Sequence, residues 1–270
     1  ATFSGGCIKL GTKDAQKVFA FADVGTRVFV YDQPEVAEKE PLTLGPLPQP
    51  TIDAQSYLLA DMETGDVYAE VNTQAPRPMS ATTKLMTALV ANEIISLDKI
   101  VSVDEGALTE PQNIFNTKRK TFLVNDLFYP LLMQSNPRVA QSLAAYYGPR
   151  GFVGWMNTTA RSLNMASTTY ADATGESPDT TSTPDDLFRL VSYLTRKKSF
   201  VFSIARTPQK TIEAEDGAQY RVRNVFVPSD TSLLDASGVE YIAAGDQAAA
   251  SVITVPMGTT TRRVAAIVLG

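Results

Sequence analysis

The 270-residue chain contains no histidine. That absence removes any Ser-His-Asp triad, any imidazole general base and most zinc centres, which leaves lysine as the base that desolvation could bring toward neutral pH. Cys7 is the single cysteine, so no intrachain disulfide can form, and the count assigns no compartment. No run reaches the roughly 18 uninterrupted apolar residues of a membrane-spanning helix, so no membrane span is expected in this segment. A one-signed charge field is missing as well. Lys and Arg total 24 against 29 Asp and Glu, a formal net charge of −5, which argues against nucleic acid as a partner. The basic runs Lys118-Arg119-Lys120 and Arg196-Lys197-Lys198 read as solvated helix ends or loops. No metal and no cofactor are expected. A hydrophobic content of 44% is enough to bury a full core, in one large domain or two interleaved subdomains.

Three stretches follow one another along the chain. Residues 1–32 hold two β-like runs, Val18 to Ala22 and Arg27 to Tyr31, around Asp23-Val24-Gly25-Thr26, which predicts an N-terminal hairpin extension. Residues 33–50 carry Pro34, Pro41, Pro46, Pro48 and Pro50, the composition of an extended linker. Residues 51–270 form the main domain. Within it, Ala54 to Asp61 and Asp66 to Glu70 alternate as strands around the turn Met62-Glu63-Thr64-Gly65. A helix over Ser80 to Ile95 places Leu85, Met86, Leu89 and Val90 on apolar positions, and Gly148 closes a later helix. Ser251 to Pro256 and Arg263 to Leu269 read as adjacent strands, the second apolar enough to lie centrally in a sheet. The start at Ala1 fits either a removed export signal or a truncation, and Cys7 in Ser4-Gly5-Gly6-Cys7 is internal, so lipoprotein cleavage has not occurred there.

Chemistry concentrates in Pro78-Met79-Ser80-Ala81-Thr82-Thr83-Lys84-Leu85-Met86-Thr87. A serine three residues before Lys84 would share its helical face, and the amine could take the hydroxyl proton. That position is Ala81, which has no oxygen. Ser80, one residue earlier, reads as an N-cap, and its i to i+4 relation to Lys84 also makes it a candidate substitute nucleophile. Moving the nucleophile by one residue rotates it about 100° around the helix axis.

Together with Leu131-Leu132-Met133-Gln134-Ser135-Asn136-Pro137, the stretch Asn164 to Gly175, the helix start Thr183-Pro184-Asp185-Asp186-Leu187 and Tyr241-Ile242-Ala243-Ala244-Gly245, this segment resembles D-alanyl-D-alanine carboxypeptidases of the penicillin-binding-protein class. The resemblance covers residues 51–270. It implies an α+β fold of the β-lactamase/transpeptidase type, an antiparallel sheet flanked by helices beside a mainly helical subdomain. It also implies an acylated serine where Ala81 stands, Lys84 as its base and Ser135 as a proton relay. A substrate-holding amide would lie where Pro137 stands, and a cation and a hydroxyl where Ala243 and Ala244 stand. Gly245 is retained.

With four of those positions replaced, the expectation is a catalytically silent domain with a binding, scaffolding or assembly role. By resemblance it would be extracytoplasmic, at the cell envelope, with peptidoglycan peptides or envelope proteins as partners. One alternative is a serine-type carboxypeptidase using Ser80 with Lys84. Another is a subunit of a cell-surface assembly that oligomerises through the N-terminal arm.

Overall fold

The computed structural model describes residues 2–4, 7–9, 11–20, 53–109, 112–113, 115–226, 239–245, 247–257 and 260–270. They belong to two units, Ala1–Glu35 and Val36–Gly270. In the first, β1 (Thr2–Ser4) and β2 (Cys7–Lys9) pair antiparallel, with Phe3 opposite Ile8, and α1 follows over Thr12–Phe19. Val18 and Phe19 are therefore helical, not the start of a strand. Asp14 near the helix start, Lys17 in its last turn, and Ala15 and Gln16 between them favour the helix more than Val18 opposes it. The rest of the expected hairpin, the Asp23 to Thr26 turn with Arg27 to Tyr31, and the linker 33–50 lie outside the described residues.

The second unit is an α+β domain. Its elements run β3 (Ser56–Asp61), β4 (Val67–Val71), β5 (Arg77–Pro78), a 3-10 turn (Ser80–Thr82), α2 (Thr83–Ile94), β6 (Ile100–Asp104), a second 3-10 turn (Glu105–Ala107) and β7 (Arg119–Leu123). They continue with α3 (Val124–Met133), α4 (Pro137–Tyr147), α5 (Pro149–Ser162), β8 (Thr181–Ser182), α6 (Pro184–Lys197), α7 (Phe200–Ala205), β9 (Gln209–Glu213) and β10 (Gln219–Arg223). Three strands close the chain: β11 (Val239–Gly245), β12 (Ala248–Met257) and β13 (Thr260–Leu269). The main sheet is antiparallel in the order β11-β12-β13-β3-β4. β13 is central, as its apolar run requires, with Val264, Ala265, Ile267 and Leu269 all buried.

The β3–β4 hairpin turns on Asp61, whose carboxylate accepts from the backbone N–H groups of Glu63 (2.7 Å) and Thr64 (3.0 Å) and from the Tyr68 hydroxyl (3.1 Å). Gly65, at φ +79°, completes the turn. At the far end of the same strand Ser56 pairs with Leu269, and the Gln55 N–H donates to the Gly270 carbonyl at 3.3 Å.

α2 is apolar on nearly every side, and every residue from Thr83 to Ala91 is buried. Such a helix has to be enclosed, and α3, α4 and α5 pack around it, while α6 packs on β13 and β3. Phe122, Phe128 and Phe152 fill the interior of this cluster, each contributing roughly 2–3 kcal/mol by burial. The expected helix over Ser80 to Ile95 is thus an opening 3-10 turn followed by α2, with Ile95 as its C-cap.

Candidate active site

The turn before α2 is held in an uncommon backbone conformation. Ser80 sits at φ +38°, in the left-handed region that non-glycine residues seldom occupy. Ser80 is not an N-cap, because neither cap position of this segment, Met79 or Thr82, carries a side-chain cap bond. Thr82 instead turns its Oγ1 back to donate to the Met79 carbonyl at 2.5 Å.

The bend is imposed by the loop that follows α5. Gly175 has φ +74°, and a Cβ there would lie 2.1 Å from the Ser80 carbonyl oxygen and 2.6 Å from Thr83 Oγ1. Only glycine permits that approach. Asp172 locks the loop: its carboxylate accepts from Thr174 Oγ1 (2.5 Å), Thr180 Oγ1 (2.6 Å) and the N–H groups of Gly175, Glu176 and Ser177 (3.1–3.2 Å). Burial alone would raise the Asp172 pKa, but these bonds outweigh it and hold the pKa below the ordinary aspartate value. A further tie, Thr87 Oγ1 to the Ala173 carbonyl at 2.7 Å, fastens the loop to α2. In sequence this stretch reads as carrying little chemistry, yet it shapes the turn that presents Ser80 and Ala81.

Ala81, Lys84 and Ser135 meet in one small pocket, walled by Leu85, Leu131, Leu132 and Phe226. Lys84 is 7% exposed, and burial lowers its pKa to about 8 against the opposing charges of Glu176 and Asp172. About a tenth of its amine is therefore neutral at pH 7, enough to act as a base. The group such a base would act on is missing, because Ala81 presents only a methyl. Ser135, at φ +48°, buries its Oγ with no hydrogen-bond partner among the described residues. Ser80 does not line this pocket.

Pro137 occupies the first position of α4, where a proline's missing N–H costs nothing. Neighbouring Asn136 cannot supply the amide that the resemblance assigns to position 137. Its Oδ1 accepts from the Arg138 (3.1 Å) and Val139 (3.2 Å) N–H groups, and its Nδ2 donates to the Ala107 carbonyl at 2.7 Å. This fully buried side chain caps α4, and both of its polar atoms are bonded within the protein.

β11 is the sheet edge, with Ala243 opposite Ala250, Ala244 opposite Ala249 and Gly245 opposite Ala248. A Cβ built on Gly245 would lie 2.9 Å from the Ala81 Cβ and 3.1 Å from Ser80 Oγ. The third segment therefore lies against the first, and the retained glycine is what allows it. Neither Ala243 nor Ala244 can donate a hydrogen bond from its side chain.

Phe226 had no signal in the sequence. It stands just beyond β10, where its N–H donates to Asn224 Oδ1 (3.0 Å), while the Val225 N–H donates to the Met133 carbonyl (3.0 Å). These bonds carry the ring to the pocket wall beside Ser135. Among the described residues there is no group of three or more His, Cys, Asp or Glu that could hold a metal ion, and no helix is long and apolar enough to cross a membrane.

A sheet edge set against a lysine-bearing helix start, with a serine turn on the third side, defines a penicillin-binding-protein-like domain. The family model described as D-alanyl-D-alanine carboxypeptidase matches residues 45–270, and the chain belongs to that family. The match starts a little before the boundary expected at residue 51. A D-alanyl-D-alanine endopeptidase of Pseudomonas aeruginosa is 32% identical over 169 residues, covering 61% of this chain and 54% of the relative. The D-alanyl-D-alanine carboxypeptidase DacC of Escherichia coli is 27% identical over 186 residues, covering 60% and 46%. The chain thus spans about half the length of the curated relatives it matches. Among solved structures, a penicillin-binding protein homolog from Mycobacterium tuberculosis superposes with a TM-score of 0.67 at 24% identity, covering 84% of this chain and 86% of that one. Penicillin-binding protein D2 of Listeria monocytogenes, solved in its ampicillin-bound form, gives 0.63 at 26% identity, covering 82% and 91%.

Proposed function

We propose that this chain is a carboxypeptidase-fold domain that does not form an acyl-enzyme and serves a binding, scaffolding or assembly role at the cell envelope, outside the cytoplasmic membrane. The observation that carries this reading is the pocket shared by Ala81, Lys84 and Ser135, where the base faces a methyl group. In another serine hydrolase, removing the nucleophile alone costs on the order of 10⁶-fold in kcat. The residues at 137, 243 and 244 also lack the polar groups that would orient a peptide, which supports loss of turnover and favours protein partners at least as much as peptidoglycan stem peptides.

The test is intact-protein mass spectrometry after incubation with a reactive β-lactam, run on wild type, Ala81→Ser and Ser80→Ala. The expected result is no adduct on wild type. A stoichiometric wild-type adduct that disappears only in Ser80→Ala overturns the proposal.

That outcome would establish the second reading, a serine-type carboxypeptidase acting through Ser80 and Lys84. It is favoured by the Ser80 Oγ lying against Gly245 at the sheet edge, on a turn bent to φ +38°. Its requirement is D-alanine release that is lost in Ser80→Ala. Assembly through the N-terminal arm would show as concentration-dependent association abolished by deleting residues 1–50.

A further inference from the structure

We propose that one ordered water occupies the pocket beside Ala81, bridging Ser135 Oγ and Lys84 Nζ in place of the hydroxyl that position 81 lacks. Ser135 lines this pocket, and its Oγ is buried with no hydrogen-bond partner among the described residues. The turn that carries it is fixed: Ser135 sits at φ +48°, and the N–H groups of Gln134 and Asn136 on either side both donate to the Pro130 carbonyl at 3.3 Å. A hydroxyl buried without a partner is costly, and a water is the smallest group that can both donate to it and accept from it.

Size and walls select the occupant. The space measures about 10 Å³, close to the least that admits a single water, so larger ions and organic groups are excluded. Leu85, Leu131, Leu132 and Phe226 have no polar side-chain atom, which leaves Ser135 and Lys84 as the polar side chains of the wall. Two polar partners are the fewest that hold a buried water. Lys84 donates to it, and Ser135 donates or accepts as the geometry requires. The site thus keeps a chain of hydrogen bonds from Lys84 to Ser135, with a solvent oxygen where a side-chain oxygen would stand. Ser80 does not line the pocket, so the water is expected whether or not Ser80 is reactive.

The test is crystallography of the full chain at atomic resolution. Wild type is expected to show one water within hydrogen-bond distance of both Ser135 Oγ and Lys84 Nζ. In Ala81→Ser the new hydroxyl takes the same space, and the water is expected to be gone. Ser135→Ala removes one of its two partners and is expected to lose it as well. The released water regains its bonds in bulk solvent, so the urea midpoint of Ser135→Ala is not expected to fall. In solution, the Ser135 side-chain protons of wild type are expected to cross-relax with a long-lived water, a signal absent in Ala81→Ser. An empty pocket in wild type, or a direct bond from Ser135 Oγ to a protein group, overturns the proposal. So does a water that persists in Ala81→Ser, because it would lie outside the space that an oxygen on position 81 fills.

Discussion

The Asp172 loop and the Ser80-Ala81 turn lie against each other, yet they treat their polar atoms in opposite ways. Around Asp172 each carboxylate oxygen is saturated by hydroxyl and backbone donors of the same loop. Across the contact, Thr83 Oγ1 and Ser135 Oγ are buried with no partner among the described residues, beside a Lys84 that is buried near the charges of Glu176 and Asp172. The loop is a finished structural device. The pocket carries a hydroxyl that makes no bond to the described residues, beside the methyl of Ala81. Hydrogen bonding within the protein is thus complete in the supporting loop and incomplete in the pocket it supports.

The largest effect should come from breaking the contact itself. Gly175→Ala combines a side chain at φ +74° with a Cβ 2.1 Å from a backbone oxygen, so the loop, the Ser80 turn or both must move. A loss of about 4 kcal/mol by urea denaturation is expected, strain and overpacking together. Asp172→Ala tests the saturated side. It strands two hydroxyls and three N–H groups and should cost about 3 kcal/mol. The sign with pH follows from the Asp172 pKa, which lies below the ordinary 3.8. Its contribution is complete above the unfolded value and is lost as the pH falls through the lower folded one, so Asp172→Asn should flatten the acid limb of the stability curve below about pH 4. Ser135→Ala tests the unsaturated side and should have the smallest effect, with the opposite sign. Removing a hydroxyl that makes no bond should leave stability unchanged or raise it by less than about 1 kcal/mol, seen as an equal or higher urea midpoint.

Much of the fold was legible because its signals are local. The alternation through β3 and β4 around Glu63-Thr64-Gly65 marks the hairpin, and α6 begins at the expected helix start, where Thr183 Oγ1 caps it by accepting from the Asp186 N–H at 3.2 Å. The union of Ala81, Lys84 and Ser135 was legible through the family resemblance, and the helical spacing of the first two agrees with it. What sequence did not reveal depends on distant parts of the chain. The left-handed Ser80 is set by Gly175, a residue from a loop far along the chain, so propensity alone suggested an ordinary N-cap. Phe226 follows a strand of alternating polarity, and nothing beside it in the sequence marks it as a pocket wall. In the N-terminal unit, Val18 by its own propensity favours a strand, and the helix formers before it decide otherwise. Asn136 shows how adjacent residues can mislead, since its position next to Pro137 offers an amide whose atoms are already committed to α4 and Ala107.

The pairing of Ser56 with Leu269 and the bond from Gln55 to Gly270 bring the two ends of the sheet's inner strand pair to the same point. Tension applied through those ends would load the β3–β13 ladder one rung at a time, as a zipper is opened. Resistance would then be limited by single hydrogen bonds and not by a row sheared together. A domain tethered on both sides at this point would yield at low force, starting from the strands that hold the middle of its sheet, while the helices around α2 would feel the load last.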